Sequence, residues 1–160
     1  MCLIIDAGAM PAVFSKNHSK HDDFVLVKDW VENGNGKVVY GGTTYKKELK
    51  NLQRFLGVIS ELDKKNRVLK QSKSLDSEID EEEERIRKLV KTKDFDDPHL
   101  AAIVSCTGVR IIASSDKRKD KYLKRKNLYR KGIKVPKMYS KADKHAGLLV
   151  EKNIATCCKT

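Results

Sequence analysis

The stretch that decides the fold is Cys2-Leu3-Ile4-Ile5, followed at once by Asp6-Ala7-Gly8. Four consecutive apolar residues that end at a turn are typical of a strand buried on both faces, as in a parallel sheet. The sequence therefore predicts a buried first strand with an aspartate at its carboxyl end.

Two further strands are predicted on the same grounds. Lys37–Tyr40 ends at a glycine pair, and Val109–Ala113 ends at Ser114-Ser115-Asp116. Ile133–Pro136 is predicted as an edge strand, where proline is tolerated.

Helices are predicted between these strands from the spacing of apolar residues and from capping signals. Strands that alternate with helices predict an α/β fold, a three-layer α/β/α domain around a central, mostly parallel sheet. Lys64–Ser77 has few apolar residues and is predicted to be a connection. The first predicted helix is Asp22–Asn33, with Asp22 or Asp23 as N-cap. The second starts at Thr43 or Thr44 and includes Leu49, Leu52, Leu56 and Ile59. Two more are predicted, one at the acidic run 78–84 and one between Asp96 or Asp97 and Gly108.

The size of the chain suits one domain, since it has 160 residues. We predict a domain over residues 1–144 and a C-terminal tail over 145–160. No stretch approaches the ~18 to 20 apolar residues of a membrane span, and the first residues lack a basic leader. We therefore expect a cytoplasmic protein with no membrane partner and with reduced cysteines, in which Cys2 and Cys106 are small core residues.

The positive charge of the chain is concentrated in one segment. Residues 1–116 contain 19 Lys/Arg and 19 Asp/Glu, whereas residues 117–144 contain 13 basic and 2 acidic residues. A neutral body with one basic segment is typical of a protein that binds polyanions, because each neutralised phosphate releases counterions. A solvated lysine-rich face that serves solubility is the alternative.

Four acids occupy similar topological positions. Asp6 and Asp116 each follow a predicted strand, Asp97 opens a helix, and Glu48 lies early in another helix. Because the carboxyl ends of parallel strands share one edge of the sheet, these side chains are expected to converge there. A divalent cation such as Mg²⁺ or Mn²⁺ would offset their repulsion. Taken singly, each acid is equally explained as a cap, a turn former or a surface residue.

In their order and spacing, these segments resemble the four acidic motifs of PIN-domain nucleases. The resemblance covers residues 3 to about 137. The segments that carry it are Leu3-Ile4-Ile5-Asp6-Ala7-Gly8, Thr44-Tyr45-Lys46-Lys47-Glu48-Leu49, Asp97-Pro98-His99-Leu100-Ala101-Ala102 and Ile111-Ile112-Ala113-Ser114-Ser115-Asp116.

The resemblance implies a PIN-like endoribonuclease that hydrolyses phosphodiester bonds with Mg²⁺ or Mn²⁺. Asp6, Glu48, Asp97 and Asp116 would be the catalytic acids, with Asp6, Asp97 and Asp116 as metal ligands. Asp96 is an alternative to Asp97, and Asp120 could share the role of Asp116. The implied settings are a toxin or defence effector, or RNA processing, and the implied partners are RNA, an antitoxin-like inhibitor protein and a second copy of the chain.

The basic segment begins directly after Asp116, so its cations are expected beside the metal-binding edge and are predicted to bind nucleic acid. Tyr122 and Tyr129 could stack on bases, but packing in the core is the favoured interpretation. Two other functions compete with the ribonuclease: an RNA-binding module without catalysis and a structure-specific DNA nuclease. The predicted nucleic-acid-binding residues are Lys117, Arg118, Lys119, Lys121, Lys124, Arg125, Lys126, Arg130 and Lys131.

Overall fold

The computed structural model describes residues 2–158. Five strands in this range form one sheet in the order β3-β2-β1-β4-β5, and every pair of neighbours is parallel. This confirms the predicted α/β class. The strands are β1 (Cys2–Ile5), β2 (Lys37–Tyr40), β3 (Val68–Lys70), β4 (Ile111–Ala113) and β5 (Lys137–Tyr139).

The centre of the sheet is β1, which pairs with β2 on one side and with β4 on the other. Leu3, Ile4 and Ile5 are completely buried, as a strand covered on both faces requires. The strand order runs outward from β1 in both directions, so the order reverses between β1 and β4. In open parallel sheets, ligands bind at the carboxyl ends of the strands beside such a reversal.

Helices cover both faces of the sheet and complete a three-layer α/β/α fold. α1 packs against α2, α5 packs against α6, and α3 contacts α4, α5 and α6. The helices are α1 (Met10–Phe14), α2 (His21–Glu32), α3 (Thr43–Asn51), α4 (Gln53–Lys64), α5 (Lys73–Leu89), α6 (Pro98–Thr107), α7 (Asp120–Leu123) and α8 (Ala142–His145).

Several boundaries differ from the prediction. Lys64–Ser77 is not merely a connection, since it contains β3 and the start of α5, which Ser72 caps through its hydroxyl. Only three residues form β3, which is too short for a periodic signal. The predicted edge strand lies a few residues later, at Lys137–Tyr139, because Pro136 has no N–H to donate to a ladder.

Helix ends also depart from the predicted caps. The predicted long helix after β2 breaks at Leu52, whose backbone leaves the helical region and divides it into α3 and α4. Asp22 and Asp23 lie inside the first turn of α2, where their charge suits the helix dipole, while Lys20 occupies the N-cap. Gly108 ends α6 as predicted, with a left-handed backbone (φ 71°) that glycine adopts at little cost.

The basic segment is attached to the domain by one buried side. Tyr122 and Tyr129 are buried together with Leu123 and Leu128, which confirms that the tyrosines are core residues. The ring of Tyr122 stacks on Phe95, and the hydroxyl of Tyr129 donates to the carbonyl of Leu123.

The cysteines differ from the prediction of free thiols. Cys2 forms a disulfide with Cys158, 156 residues later, while Cys106 and Cys157 are free. The C-terminal segment consists of short 3-10 turns and buries Asn153 and Ala155 near this bond. Sequence spacing could not predict the pairing, because the two cysteines are brought together only by the folded chain. Within residues 2–158, no helix combines the length and the apolarity that crossing a bilayer requires.

Candidate metal centre

The four predicted catalytic acids line one cavity of about 470 Å³ at the carboxyl edge of the sheet. Asp6 follows β1, Asp116 follows β4, Glu48 lies on α3, and Asp97 immediately precedes α6. The structure thus brings together side chains that are up to 110 positions apart in the chain. The cavity also contains Lys119, which is one of the predicted nucleic-acid-binding residues.

Asp6 is held rigidly beneath the cavity. Its backbone N–H continues the β1–β4 ladder to the carbonyl of Ala113, at 2.9 Å. Its Oδ2 accepts a hydrogen bond from the hydroxyl of Ser114 at 2.7 Å, and its Oδ1 accepts from the N–H of Gly8 at 3.3 Å. The side chain is only 6% exposed, so the carboxylate is desolvated as well as fixed.

Lys119 lies between two of these acids. Its Nζ is 2.7 Å from Oδ2 of Asp6 and 2.5 Å from Oδ2 of Asp97, and its side chain is 5% exposed. The burial corrects the expectation that Lys119 binds nucleic acid, because an ammonium enclosed by two carboxylates is not available to a surface ligand. Lys119 belongs to the acidic site instead.

Asp97 occupies the N-cap position of α6, but its carboxylate does not cap the helix. A capping aspartate would accept from an N–H of the first turn. Asp97 directs its carboxylate toward Lys119 instead, so the cap is not the reason for an acid here. Asp96, the alternative, also lines the cavity but is exposed, whereas Asp97 is 15% exposed and paired.

Glu48 reaches the cavity from α3 and lies beside His99. The Oε2 of Glu48 is 3.3 Å from Nε2 of His99, which is the second residue of α6 and is 1% exposed. Neither ring nitrogen of His99 has a hydrogen-bond partner among the residues that the structure describes. One carboxylate oxygen each of Glu48 and Asp97 and one ring nitrogen of His99 lie within 4.8 Å of one another.

Asp116 lies at the rim and is paired with Arg118. Its Oδ1 caps the following 3-10 turn through the N–H of Arg118 at 2.9 Å, and its Oδ2 accepts from the guanidinium at 2.7 Å. The hydroxyl of Ser114 links two of the acids, since it donates to Asp6 and accepts from the N–H of Asp116. Asp120 is not among the residues that line the cavity in the described range.

The ionisation of these groups reflects burial and pairing. Burial raises the pKa of Asp97, although the hydrogen bond from Lys119 opposes the shift. Burial alone would lower the pKa of Lys119, but Asp6 and Asp97 raise it overall, so the ammonium stays charged. The hydrogen bonds from Arg118 lower the pKa of Asp116 to about 2.

Most of the predicted nucleic-acid-binding cations are exposed, as the prediction requires. Arg118 is already paired with Asp116, and Arg130 with Glu78 and Glu82. The other six make no ion pair with an acid in the described part of the chain. These six are Lys117, Lys121, Lys124, Arg125, Lys126 and Lys131.

The residues present fit a divalent cation. Carboxylate oxygens and an imidazole nitrogen are ligands that divalent metals accept, and the buried ring nitrogens of His99 have no hydrogen-bond partner within residues 2–158. Lys119 occupies the position between Asp6 and Asp97. The donors that face one another beside it are one carboxylate oxygen each of Glu48 and Asp97 and one ring nitrogen of His99.

Two residues of the site were missed from the sequence. His99 follows Asp97 by two positions, but no second histidine lies at ligand spacing, so no pattern in the sequence marks it as a ligand. Lys119 is one of many cations in its segment, and no local pattern distinguishes it from its neighbours.

Comparisons with protein-family models, with curated proteins and with solved structures found no match. The resemblance to PIN-domain nucleases therefore stays a prediction from the motifs.

Proposed function

We propose that this protein is a metal-dependent ribonuclease that hydrolyses phosphodiester bonds of RNA. The observation that carries the proposal is the convergence of Asp6, Glu48, Asp97 and Asp116 in one cavity at the strand reversal. The non-capping orientation of Asp97 supports it further, since the local helix gives no other reason for this carboxylate.

The chemistry follows from the side chains around the cavity. A bound Mg²⁺ or Mn²⁺ would supply a water of lowered pKa and would polarise the phosphate. The four acids would attract the cation to the cavity, and Lys119, which is paired with Asp6 and Asp97, would neutralise part of the carboxylate charge. The exposed cations that follow Asp116 would hold the RNA backbone beside the cavity.

The proposal also places the protein in the cytoplasm, where RNA substrates are found. In that compartment the Cys2–Cys158 disulfide would be reduced.

The test is cleavage of labelled structured RNA in Mn²⁺ and in EDTA, with single-stranded DNA tested beside it. We expect Mn²⁺-dependent cleavage of RNA that is lost in Asp97→Asn. Asp94→Asn is the matched control, because Asp94 is an exposed acid of the same loop outside the cavity. Cleavage of DNA alone would replace the ribonuclease with the DNA nuclease.

A second candidate function is an RNA-binding module without catalysis. One observation favours it: Lys119 already compensates Asp6 and Asp97, so the acids are stable without a metal. Tight RNA binding with no cleavage in Mg²⁺ or Mn²⁺ would support this candidate and contradict the ribonuclease.

A further inference from the structure

His99 is a buried side chain whose polar atoms the described residues around it leave unsatisfied. It is 1% exposed on α6, and its Nδ1 and Nε2 both lack a hydrogen-bond partner in the described part of the chain. Leaving a buried polar atom without a partner costs about 1–3 kcal/mol. The ring lies 6.2 Å from that of Tyr45 on α3, centroid to centroid, and the fold holds it in this buried position. A ligand would satisfy the unpartnered nitrogens.

The direction of the ring identifies the side on which that ligand would lie. Nε2 is 3.3 Å from Oε2 of Glu48, yet the pair does not have the geometry of a hydrogen bond. One carboxylate oxygen of Asp97 lies within 4.8 Å of one carboxylate oxygen of Glu48 and of one ring nitrogen of His99. One small volume at the cavity is therefore faced by three donors: Glu48 of α3, His99 of α6 and Asp97, which directly precedes α6.

The charges of the site point to a cation in that volume. Lys119 compensates Asp6 and Asp97 together, and Arg118 compensates Asp116. Two positive charges thus face the four carboxylates of the quartet, and Glu48 lies beside the ring of His99. The exposed Asp96 also lines the cavity, so its carboxylates outnumber the cations and a divalent ion would offset the excess negative charge.

We propose that Glu48, Asp97 and His99 form a mixed carboxylate–imidazole site for one divalent transition-metal ion, and that the ammonium of Lys119 fills the neighbouring cation position between Asp6 and Asp97. The inference deepens the proposed function and rests on it only for the role of the metal in catalysis. It changes the expected ligand set, since Glu48 and His99 replace Asp6 and Asp116 as direct ligands beside Asp97.

The donor set also determines which metal is favoured. Mg²⁺ prefers an all-oxygen octahedral shell and gives up its water reluctantly, whereas Mn²⁺ and the later divalent metals accept an imidazole nitrogen. We expect the site to bind Mn²⁺ at least about tenfold more tightly than Mg²⁺. The thiols of Cys106 and Cys157 favour softer metals, so Mn²⁺ is the appropriate probe.

The experiment measures Mn²⁺ binding to the full, oxidised chain by electron paramagnetic resonance and detects bound nitrogen by electron spin-echo envelope modulation. We expect one Mn²⁺ with nitrogen modulation from a single imidazole. The modulation should disappear in His99→Ala, with Mn²⁺ affinity lowered at least about tenfold. His18→Ala, which removes an imidazole between α1 and α2, should keep the signal.

Glu48→Gln provides a second variant that does not disturb the core, because the Glu48 side chain is 36% exposed. It should weaken Mn²⁺ binding while the nitrogen signal persists at saturation. Bound Mn²⁺ without nitrogen modulation in the wild-type chain would overturn the inference, and so would a signal that survives in His99→Ala. The test does not require His99→Ala to fold, since the wild-type spectrum already decides between the ligand sets.

Failure of the inference is distinguishable from failure of the proposed function. Mn²⁺-dependent RNA cleavage without nitrogen coupling would retain the ribonuclease and overturn the His99 site. Nitrogen-coupled Mn²⁺ without cleavage would retain the site and overturn the ribonuclease. No Mn²⁺ binding up to millimolar concentration would overturn both.

Discussion

At the residue scale, the position of Lys119 determines how the acidic site is balanced. Two buried carboxylates at one point would repel each other and favour protonation. The ammonium of Lys119 contacts both Asp6 and Asp97 and is itself almost completely buried. Removing one partner from a buried ionic group leaves the others uncompensated, which costs more than the pair contributes when intact.

We therefore expect Lys119→Met to lower the free energy of unfolding at pH 7 by about 3–5 kcal/mol. Mn²⁺ should restore part of the loss, because a cation could then take the vacated position. Urea denaturation in EDTA and in Mn²⁺ measures both effects. Lys117→Met, at an exposed neighbour, should change stability by less than about 0.5 kcal/mol. An equal loss in the two variants would contradict the role of Lys119.

Asp116 gives the pH dependence that the site predicts most directly. Hydrogen bonds from Arg118 lower the pKa of Asp116 to about 2, below the value of about 3.9 that an aspartate has in an unfolded chain. The contribution of this group to stability is thus present above about pH 4 and is lost as the pH falls toward 2. A carboxyl ¹³C titration should show the Asp116 pKa rising toward its ordinary value in Arg118→Ala. An unchanged titration would contradict the pairing.

At the element scale, the basic segment is anchored by a polar network on α5 and α6. The buried carboxylate of Glu82 accepts from the hydroxyl of Ser105 and from the guanidinium of Arg85. Ser105 in turn accepts from the backbone N–H of Arg130, and Arg85 donates to the carbonyl of Leu128. One side of the segment is therefore fixed to the helices, while its exposed lysines remain free to meet phosphates.

The exposed side of the segment should set the salt dependence of RNA binding. Each phosphate contact on a single strand contributes about 0.7 to the slope of log affinity against log salt. Combined Lys124→Ala, Arg125→Ala and Lys126→Ala substitutions should lower that slope by about 2, which fluorescence anisotropy measures. Lys16→Ala, Lys20→Ala and Lys65→Ala remove three exposed cations elsewhere. If this control lowers the slope equally, the binding is not localised to the segment.

Across the molecule as a whole, one covalent bond links the central strand β1 to the C-terminal turns. The disulfide joins Cys2 at the start of β1 to Cys158, and the other end of β1 delivers Asp6 to the cavity. A cross-link that closes almost the whole chain restricts the unfolded ensemble strongly.

Cys158→Ser should lower the free energy of unfolding of the oxidised protein by about 2–4 kcal/mol. Reduction of the wild-type chain should have a similar effect, and Cys157→Ser should change stability little. Urea denaturation with and without reductant measures the difference. Thiol titration of the unfolded, oxidised chain should find only Cys106 and Cys157 reactive. Four reactive thiols would contradict the bond.

The α/β class and the edge of the sheet at which the acids lie could be predicted from the sequence. The runs Leu3–Ile5 and Ile111–Ala113 are apolar without alternation and each ends at a turn, which is typical of a strand covered on both faces. Because a parallel sheet brings the carboxyl ends of all its strands to one edge, the sequence alone predicts that Asp6 and Asp116 lie near each other. The three-residue strand at Val68–Lys70 was missed, since so short an element has no period.

The way in which Lys119 and Arg118 balance the negative charge of the acids follows from the tertiary structure. Lys119 and His99 owe their roles to burial and to partners more than 40 positions away in the chain, Asp6 for Lys119 and Glu48 for His99. Residue type and spacing carry no record of such contacts, because exposure and distance arise when helices pack on the sheet. The same reason applies to Cys2 and Cys158, whose pairing depends on where the C-terminal turns come to lie.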